Sequence, residues 1–403
     1  MDNRYNVEKI IGEKYYRACA VIHLDAIYDN IVNLRKRLKK SVGIMAIIKT
    51  DGYGHGAIPI AKTIDGLVSA YGVATVDEAV NLRRHHVTKP ICVIGYTHES
   101  QYDRMIENDI RPAVFTYEMA EMLSARAIAM NKNVKIHVKI DTGMSRIGFK
   151  AEEASVDIIE RISRLSHLEI EGIFTHFATA DEKDKRKTKK QFERFTEIIG
   201  GLSKRGISIP VRHCSNSAAM IELPQYHLDC VRAGIAMYGL YPSQEVDRSL
   251  VTLKPALELK SHVIYVKTIE PGTEVSYGGT FVADRTMRIA TVPLGYGDGY
   301  RRSLSGKGYV LIHGRRANIL GRVCMDQFMV DVTAIEDVCK DDEVVLIGRQ
   351  GEESITAEML AAMAGDTFNY EIVCDIGKRV PRVFMQNGNI IGIKDYFEDA
   401  YET

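Results

Sequence analysis

The sequence predicts an α/β fold, with an N-terminal (β/α)8 barrel followed by a mostly β C-terminal domain. Three observations predict it. Eight short apolar runs alternate with helical periodicities between residues 42 and 235. After Pro255 the helical periods give way to strand-like runs separated by glycines or charges. No GxGxxG follows the first strand, which counts against a dinucleotide-binding fold. An open doubly wound sheet is the second choice, because the strands are short and well spaced.

Residues 1–16 read as a polar N-terminal extension, 17–253 as the barrel domain and 254–403 as the β-rich domain. The run 17–24 (RACAVIHL) is strand-like. Leu24, Ile27, Ile31, Leu34 and Leu38 then recur at helical spacing, with Asp25 near the start. The eight barrel strands are predicted at 42–49, 71–75, 91–96, 111–115, 135–141, 168–176, 211–215 and 230–235. Between them, Ile158, Ile159, Ile162 and Leu165 share one helical face, and Phe192, Phe195, Ile198, Ile199 and Leu202 share another. The charge run 181–190 (DEKDKRKTKK) reads as a solvated loop and helix start. In the second domain, strands are predicted at 257–268, 287–294, 308–313, 317–323, 327–333 and 343–348, with a helix at 356–364.

Composition narrows the class of function. With 403 residues, 45% apolar and 26% charged, the chain can bury cores for two domains. Its formal net charge is zero, so nothing in the charge balance calls for nucleic acid or an anionic membrane. The seven cysteines are scattered and contain no CxxC pair, which favours reduced thiols in a cytoplasm over a disulfide framework or a zinc site. No apolar run reaches membrane-spanning length, and the N-terminus is too polar for a signal peptide.

In a barrel, function collects at the carboxyl ends of the strands. The first predicted strand ends in Lys49, followed by Asp51, Gly52, Tyr53, Gly54, His55 and Gly56. A strand-end lysine alone most often snorkels to solvent. With apolar neighbours and a glycine-rich tail it can instead lose its proton and act as nucleophile or base. The fifth strand ends in Lys139, Asp141 and the run to Arg146, whose fork suits a carboxylate but would equally serve a surface ion pair. The sixth ends in His176. The seventh gives His213, Asn216 and Ser217, the last able to donate to phosphate at a helix start. The eighth gives Arg232, Gly234 and Ile235. In the second domain Tyr277 precedes two glycines, where a packed hairpin residue is the ordinary reading.

These runs, in this order, resemble the alanine racemase family from about residue 17 to 384. The family's lysine, three residues, then Tyr-Gly-His-Gly, stands here as Lys49 to Gly56, with Asp51-Gly52 where Asn-Ala is usual. The run DTGMSRIG carries Arg146, THFATAD carries His176, and GRVCMDQFMVD carries Met325 and Asp326; LGYGDGYRR, with Tyr296, is a further matching run.

The resemblance implies pyridoxal 5'-phosphate held as a Schiff base by Lys49, with Tyr53, Ser217 and the backbone of Gly234 and Ile235 on its phosphate, Asn216 beside them, and His176 against its ring. It places Arg232, supported by His213, at the pyridine nitrogen. Most pyridoxal enzymes use a carboxylate there; an arginine leaves the nitrogen unprotonated, which favours rapid reprotonation over transamination. Arg146, backed by Lys139 (often carbamylated in the family), and the Met325 N–H would meet the substrate carboxylate near Tyr296, with Asp326 supporting.

Lys49 and Tyr277 would be the two bases on opposite faces of Cα. Family members are homodimers that share active sites, so Tyr277 is expected to serve a neighbouring chain. The activity implied is interconversion of L- and D-alanine for bacterial cell wall. One departure is Lys378, in KRVPR, where the family tyrosine contacts the phosphate and borders the pocket; it raises serine as an alternative substrate. A non-catalytic pyridoxal-phosphate carrier is the reading from another class, and the second domain with Tyr277 argues against it.

Overall fold

The computed structural model describes residues 17–365 and 367–397. The expected extension at 1–16 lies outside them. The described residues form two units, one of Ala26–Gly52 and Ala57–Pro255, the other of residues 17–25, Tyr53–Gly56 and the described residues from Ala256 on.

Strand β1 (Ala18–His23) was expected in the barrel domain but belongs to the second unit. The strands of the first unit are β2 (Gly43–Ile47), β3 (Ala70–Val73), β4 (Ile91–Val93), β5 (Ile110–Val114), β6 (Val134–Asp141), β7 (Phe149–Lys150), β8 (Leu168–Phe174), β9 (Val211–His213) and β10 (Cys230–Ala233). All eight predicted runs are present. They pair in parallel in the order β10-β2-β3-β4-β5-β6-β8-β9, with β7 a short appendage on β6. Between β9 and β10 the Arg232 N–H donates to Ser215 O at 2.9 Å and the Asp229 N–H to Arg212 O at 3.2 Å, so the ring nearly closes.

Helices cover the outside. The helix Arg186–Lys204 buries Phe195, Ile198 and Leu202, spaced for one face; each such side chain contributes roughly 1.5–3 kcal/mol of transfer free energy. Its start at Arg186 leaves the first half of the charge run in the preceding loop. The helix Glu153–Ile162 ends before Leu165, which was expected on its face.

The second unit holds an extensive sheet. After β1 its strands are β11 (Leu257–His262), β12 (Tyr265–Ile269), β13 (Glu274–Val275), β14 (Phe281–Val282), β15 (Met287–Val292), β16 (Tyr309–Ile312), β17 (Arg315–Leu320), β18 (Phe328–Asp331), β19 (Glu343–Gln350), β20 (Glu353–Ile355), β21 (Arg382–Gln386) and β22 (Asn389–Lys394). The main order is β12-β15-β18-β17-β16-β19-β11-β1-β21-β22. The single strand predicted at 257–268 is two, because the Val263 N–H turns to Asp342 O and the Ile264 N–H to Thr291 O, exchanging one set of partners for another. β1 runs antiparallel to β11 and parallel to β21. The helix expected at 356–364 is found at Ala357–Ala364, capped by Thr356.

Candidate active site

The polypeptide leaves β2 in an uncommon conformation. Thr50, Asp51 and Gly52 lie in the left-handed region, with φ of 54°, 49° and 65°, and Tyr53 follows at 53°. Each non-glycine residue there costs roughly 1–2 kcal/mol, so the turn needs external support. The Gly52 N–H returns to Ile48 O at 2.9 Å. The Asp51 carboxylate accepts from the Ala57 N–H at 2.9 Å, and Glu78 Oε1 accepts from the Thr50 N–H at 2.6 Å. Glycine at 52 suits the conformation directly. Lys49, half-buried, is the last residue before this turn.

Arg232 is the hub of the barrel mouth. It is buried, and its guanidinium donates to His213 O at 3.1 Å, Thr175 O at 2.8 Å and Cys214 O at 3.0 Å. It also donates to His213 Nδ1 at 3.0 Å and to His176 Nδ1 at 3.1 Å. Arginine can only donate, so both imidazoles accept at Nδ1 and carry their proton on Nε2. Burial first, and then the Arg232 charge, hold both histidines well below their ordinary pKa and therefore neutral. The charges of Arg146 and Lys49 act on His176 in the same direction.

From His213 the bonding continues down the barrel interior. Its Nε2 faces His137 Nδ1 at 2.9 Å, and His137 Nε2 faces Glu171 Oε2 at 3.3 Å. His213 stacks on Phe174, with ring centroids 4.8 Å apart and planes 5° from parallel. Burial opposes a charge on His137, whereas Cys92 and Glu171 favour one. The donor order decides for the neutral ring. An imidazolium at 137 would require His213 to accept at both nitrogens, leaving it no proton.

Glu171 closes the series with Arg111 Nε at 3.2 Å and Lys135 Nζ at 3.1 Å. Burial works against its ionisation, but the His137 hydrogen bond, Arg111 and Lys135 outweigh it and hold the carboxyl below its ordinary 4.5. The folded pKa lies below the unfolded one. The stabilisation is therefore present above about pH 4.5 and lost as pH falls through the folded value. Glu171→Gln should destabilise the protein at neutral pH and flatten the acid limb of denaturation curves below about pH 5. Parallel acid limbs in the two proteins would contradict this assignment.

Lys139 is buried on the same face of β6 as His137. Burial, then Arg232 and Arg146, depress its pKa strongly, against a weaker opposing effect of Asp141, so the amine is held toward neutrality. Asp141 Oδ1 gathers the N–H groups of Gly143, Met144 and Ser145 at 2.9, 3.0 and 3.0 Å, which shapes the loop carrying Arg146. Gln191 ties that loop to the next, donating to Thr142 Oγ1 at 3.3 Å and His176 O at 3.2 Å and accepting from the Ala178 N–H at 2.9 Å.

At the ends of β9 and β10 an oxygen cradle forms. The Gly234 and Ala236 N–H groups converge on Ser217 Oγ at 3.0 and 3.3 Å. Ile235 is buried between them. Asn216 caps the helix Ser217–Glu222, its side chain accepting from the Ala219 N–H at 3.1 Å. One oxygen already sits where two N–H groups meet, which is what a phosphate oxygen requires. The donor set, with a lysine at the same mouth, fits an aldehyde that carries a phosphate.

The remaining predicted residues belong to the second unit. Tyr277 is at the tip of the β13–β14 hairpin and is 69% exposed, so the packed-hairpin reading does not hold. The Tyr296 N–H donates to Cys324 O at 3.0 Å and the Gly297 N–H to Met325 O at 2.9 Å, joining those two segments. Asp326 pairs with Arg379 at 2.7 Å, the residue after the exposed Lys378. Tyr53 is buried near Tyr370, and burial, with Cys374, raises its pKa, keeping the phenol neutral. Arg382, also buried, donates to Gly54 O at 3.0 Å. A Cβ on Gly54 would lie 2.3 Å from Val373 O, which is why only glycine fits there.

His137, Glu171, Glu78 and Gln191 join the site only in the folded chain. For His137 a signal existed: His137, Lys139 and Asp141 alternate along one strand face.

A (β/α)8 barrel with these strand-end groups, joined to a β-rich unit, defines an isomerase of the amino-acid racemase class. The chain belongs to the alanine racemase family. The profile of the alanine racemase N-terminal domain matches residues 22–242 and that of the C-terminal domain residues 256–384. An alanine racemase of Clostridium tetani is 44% identical over 379 residues, covering 94% of this chain and 97% of the relative. One of Halothermothrix orenii is 46% identical over 366 residues, covering 91% and 96%. Among solved structures, alanine racemase of Clostridium difficile 630 superposes with a TM-score of 0.92 at 39% identity, over 95% of this chain and 100% of that one. The Bacillus anthracis enzyme with bound L-Ala-P gives 0.89 at 37%, over 96% and 99%.

Proposed function

We propose that this chain interconverts L- and D-alanine with pyridoxal 5'-phosphate, as a cytoplasmic homodimer that shares its active sites and supplies D-alanine for bacterial cell wall. The observation that carries the reading is Arg232, a buried guanidinium held between two neutral imidazoles at a barrel mouth that also holds a lysine. When bound, the cofactor supplies an aldehyde for the amino group and a ring that draws electrons from Cα.

Lys49 would hold that aldehyde, and Ser217 with the N–H groups around Gly234 and Ile235, near Asn216, would hold the phosphate. Tyr53 and Lys378 are the family's further phosphate positions. Arg232 donates toward the ring nitrogen and, being permanently charged, gives it no proton. His176 stays neutral beside it. Arg146 and the Met325 N–H take the substrate carboxylate, with Tyr296 lining the approach and Asp326 supporting Met325. Lys139 sits behind Arg146; the neutral amine favoured there is the form that adds carbon dioxide. Lys49 Nζ exchanges a proton with Cα of the D-isomer and Tyr277 Oη with the L-isomer, so two bases on opposite faces invert the centre in either direction. The high exposure of Tyr277 and Met325 in one chain accords with their completing a partner's site.

Steady-state racemisation of L-alanine and L-serine tests the reading, with alanine expected to have the higher kcat/KM. A preference for serine would favour the alternative that Lys378 raises, and no racemisation of either would leave a pyridoxal-phosphate carrier. Lys378→Tyr is expected to change the alanine-to-serine ratio of kcat/KM severalfold while leaving the unfolding midpoint unchanged. An unaltered ratio would remove Lys378 from substrate choice.

A further inference from the structure

We infer that Glu78 is a positioning residue for Lys49, holding the left-handed turn from which the lysine side chain departs. The inference rests on the role of Lys49 proposed above. Thr75 and Glu78 form a capping box at the start of the helix Val76–Arg84. A capping-box glutamate needs only the N-cap N–H. Here Oε2 serves that purpose, accepting from the Thr75 N–H at 3.3 Å and the Ala74 N–H at 2.7 Å. Oε1 reaches instead across to the end of β2 and accepts from the Thr50 N–H at 2.6 Å, the shortest of the three charge-assisted bonds.

Thr50 is β-branched and has φ of 54°, a conformation such residues adopt at a penalty. It is the residue next to Lys49, so its backbone direction fixes where the lysine backbone ends and its side chain begins. The Asp51 bond to the Ala57 N–H acts later in the turn, and the Gly52 N–H to Ile48 O bond closes over Lys49 and Thr50 without engaging the Thr50 N–H, which Glu78 takes. Glu78 thus binds the ends of the first two barrel strands together, and the carboxylate at the helix start holds the lysine of the neighbouring β/α unit in register.

The test uses the full chain as wild type, Glu78→Gln, Glu78→Ala and Glu78→Ala/Thr50→Gly. Hydrogen exchange read by mass spectrometry on cofactor-free protein should show exchange in the peptide spanning residues 49–53 about tenfold faster in Glu78→Ala. Glutamine has one acceptor oxygen and cannot serve both Thr50 and the cap, so Glu78→Gln should be intermediate; it also keeps the test open if the alanine variant does not fold. In holoenzyme, kcat should fall about tenfold or more with KM for L-alanine little changed. Glycine at 50 takes the left-handed conformation unaided, so the double variant should recover at least a third of the lost kcat. Faster exchange confined to residues 74–84, with the turn and kcat unmoved, would overturn the inference and leave Glu78 a cap. Loss of kcat without recovery in the double variant would overturn it as well. Borohydride reduction with pyridoxal 5'-phosphate and peptide mapping separates the two levels: label on a lysine other than Lys49 rejects the proposed site, while the exchange result still decides what Glu78 holds.

Discussion

Lys49→Ala and Tyr277→Phe chains, each inactive alone, should regain roughly a quarter of wild-type activity when unfolded together and co-refolded. Each substitution removes one of two proton-transfer groups and should lower the rate by roughly 10²–10⁴-fold, with Lys49→Ala at the upper end because it also removes the cofactor anchor. If a site takes its lysine from one chain and its tyrosine from the other, a hybrid dimer has one site with both lesions and one with neither. Random reassortment makes about half the dimers hybrids, which yields the quarter. If both residues came from one chain, every site would carry a lesion. Co-refolded dimers, confirmed by sizing, that show no recovery would reject the shared site.

Arg232→Glu should cost about 3–5 kcal/mol of stability and abolish most activity, because it leaves a buried charge facing three backbone carbonyls that can only accept. The carbonyls of His213, Thr175 and Cys214 and the Nδ1 atoms of His213 and His176 all receive N–H donors from Arg232. A carboxylate offers none. Denaturant unfolding measures the loss directly. Arg232→Lys keeps the charge and should retain part of the stability, but an ammonium cannot reproduce the planar fork that spans two imidazoles and three carbonyls. In that variant, keto-acid release per racemisation event should rise if Arg232 suppresses transamination. An Arg232→Glu protein as stable as wild type would remove Arg232 from the hub.

Much of the first unit was legible in the sequence. All eight barrel runs are strands, because a strand covered on both faces reads as a short apolar run bounded by turn residues. Lys49, Arg146, His176, Ser217 and Arg232 stood out because each is a polar or charged residue in or just after the last residues of such a run. The second unit was harder to read. The hairpin under Tyr277 and the β21–β22 pair are short or terminal, and a two-residue strand has no period to detect.

By itself, the sequence determined where strands and helices lie and which chemical groups sit at their ends, because burial imposes a local pattern on neighbouring residues. Only the tertiary structure decided allegiance and protonation. β1 follows the barrel's period as well as any strand, yet it pairs with β21 more than 350 residues away, and nothing local encodes that partner. His137 is an ordinary strand residue until His213 and Glu171 are placed on either side of it. Glu78 is an ordinary cap until Thr50 is brought to it. Hydrogen-bond order, and with it the charge on each buried group, depends on neighbours supplied by other strands, and these exist only once the barrel has formed.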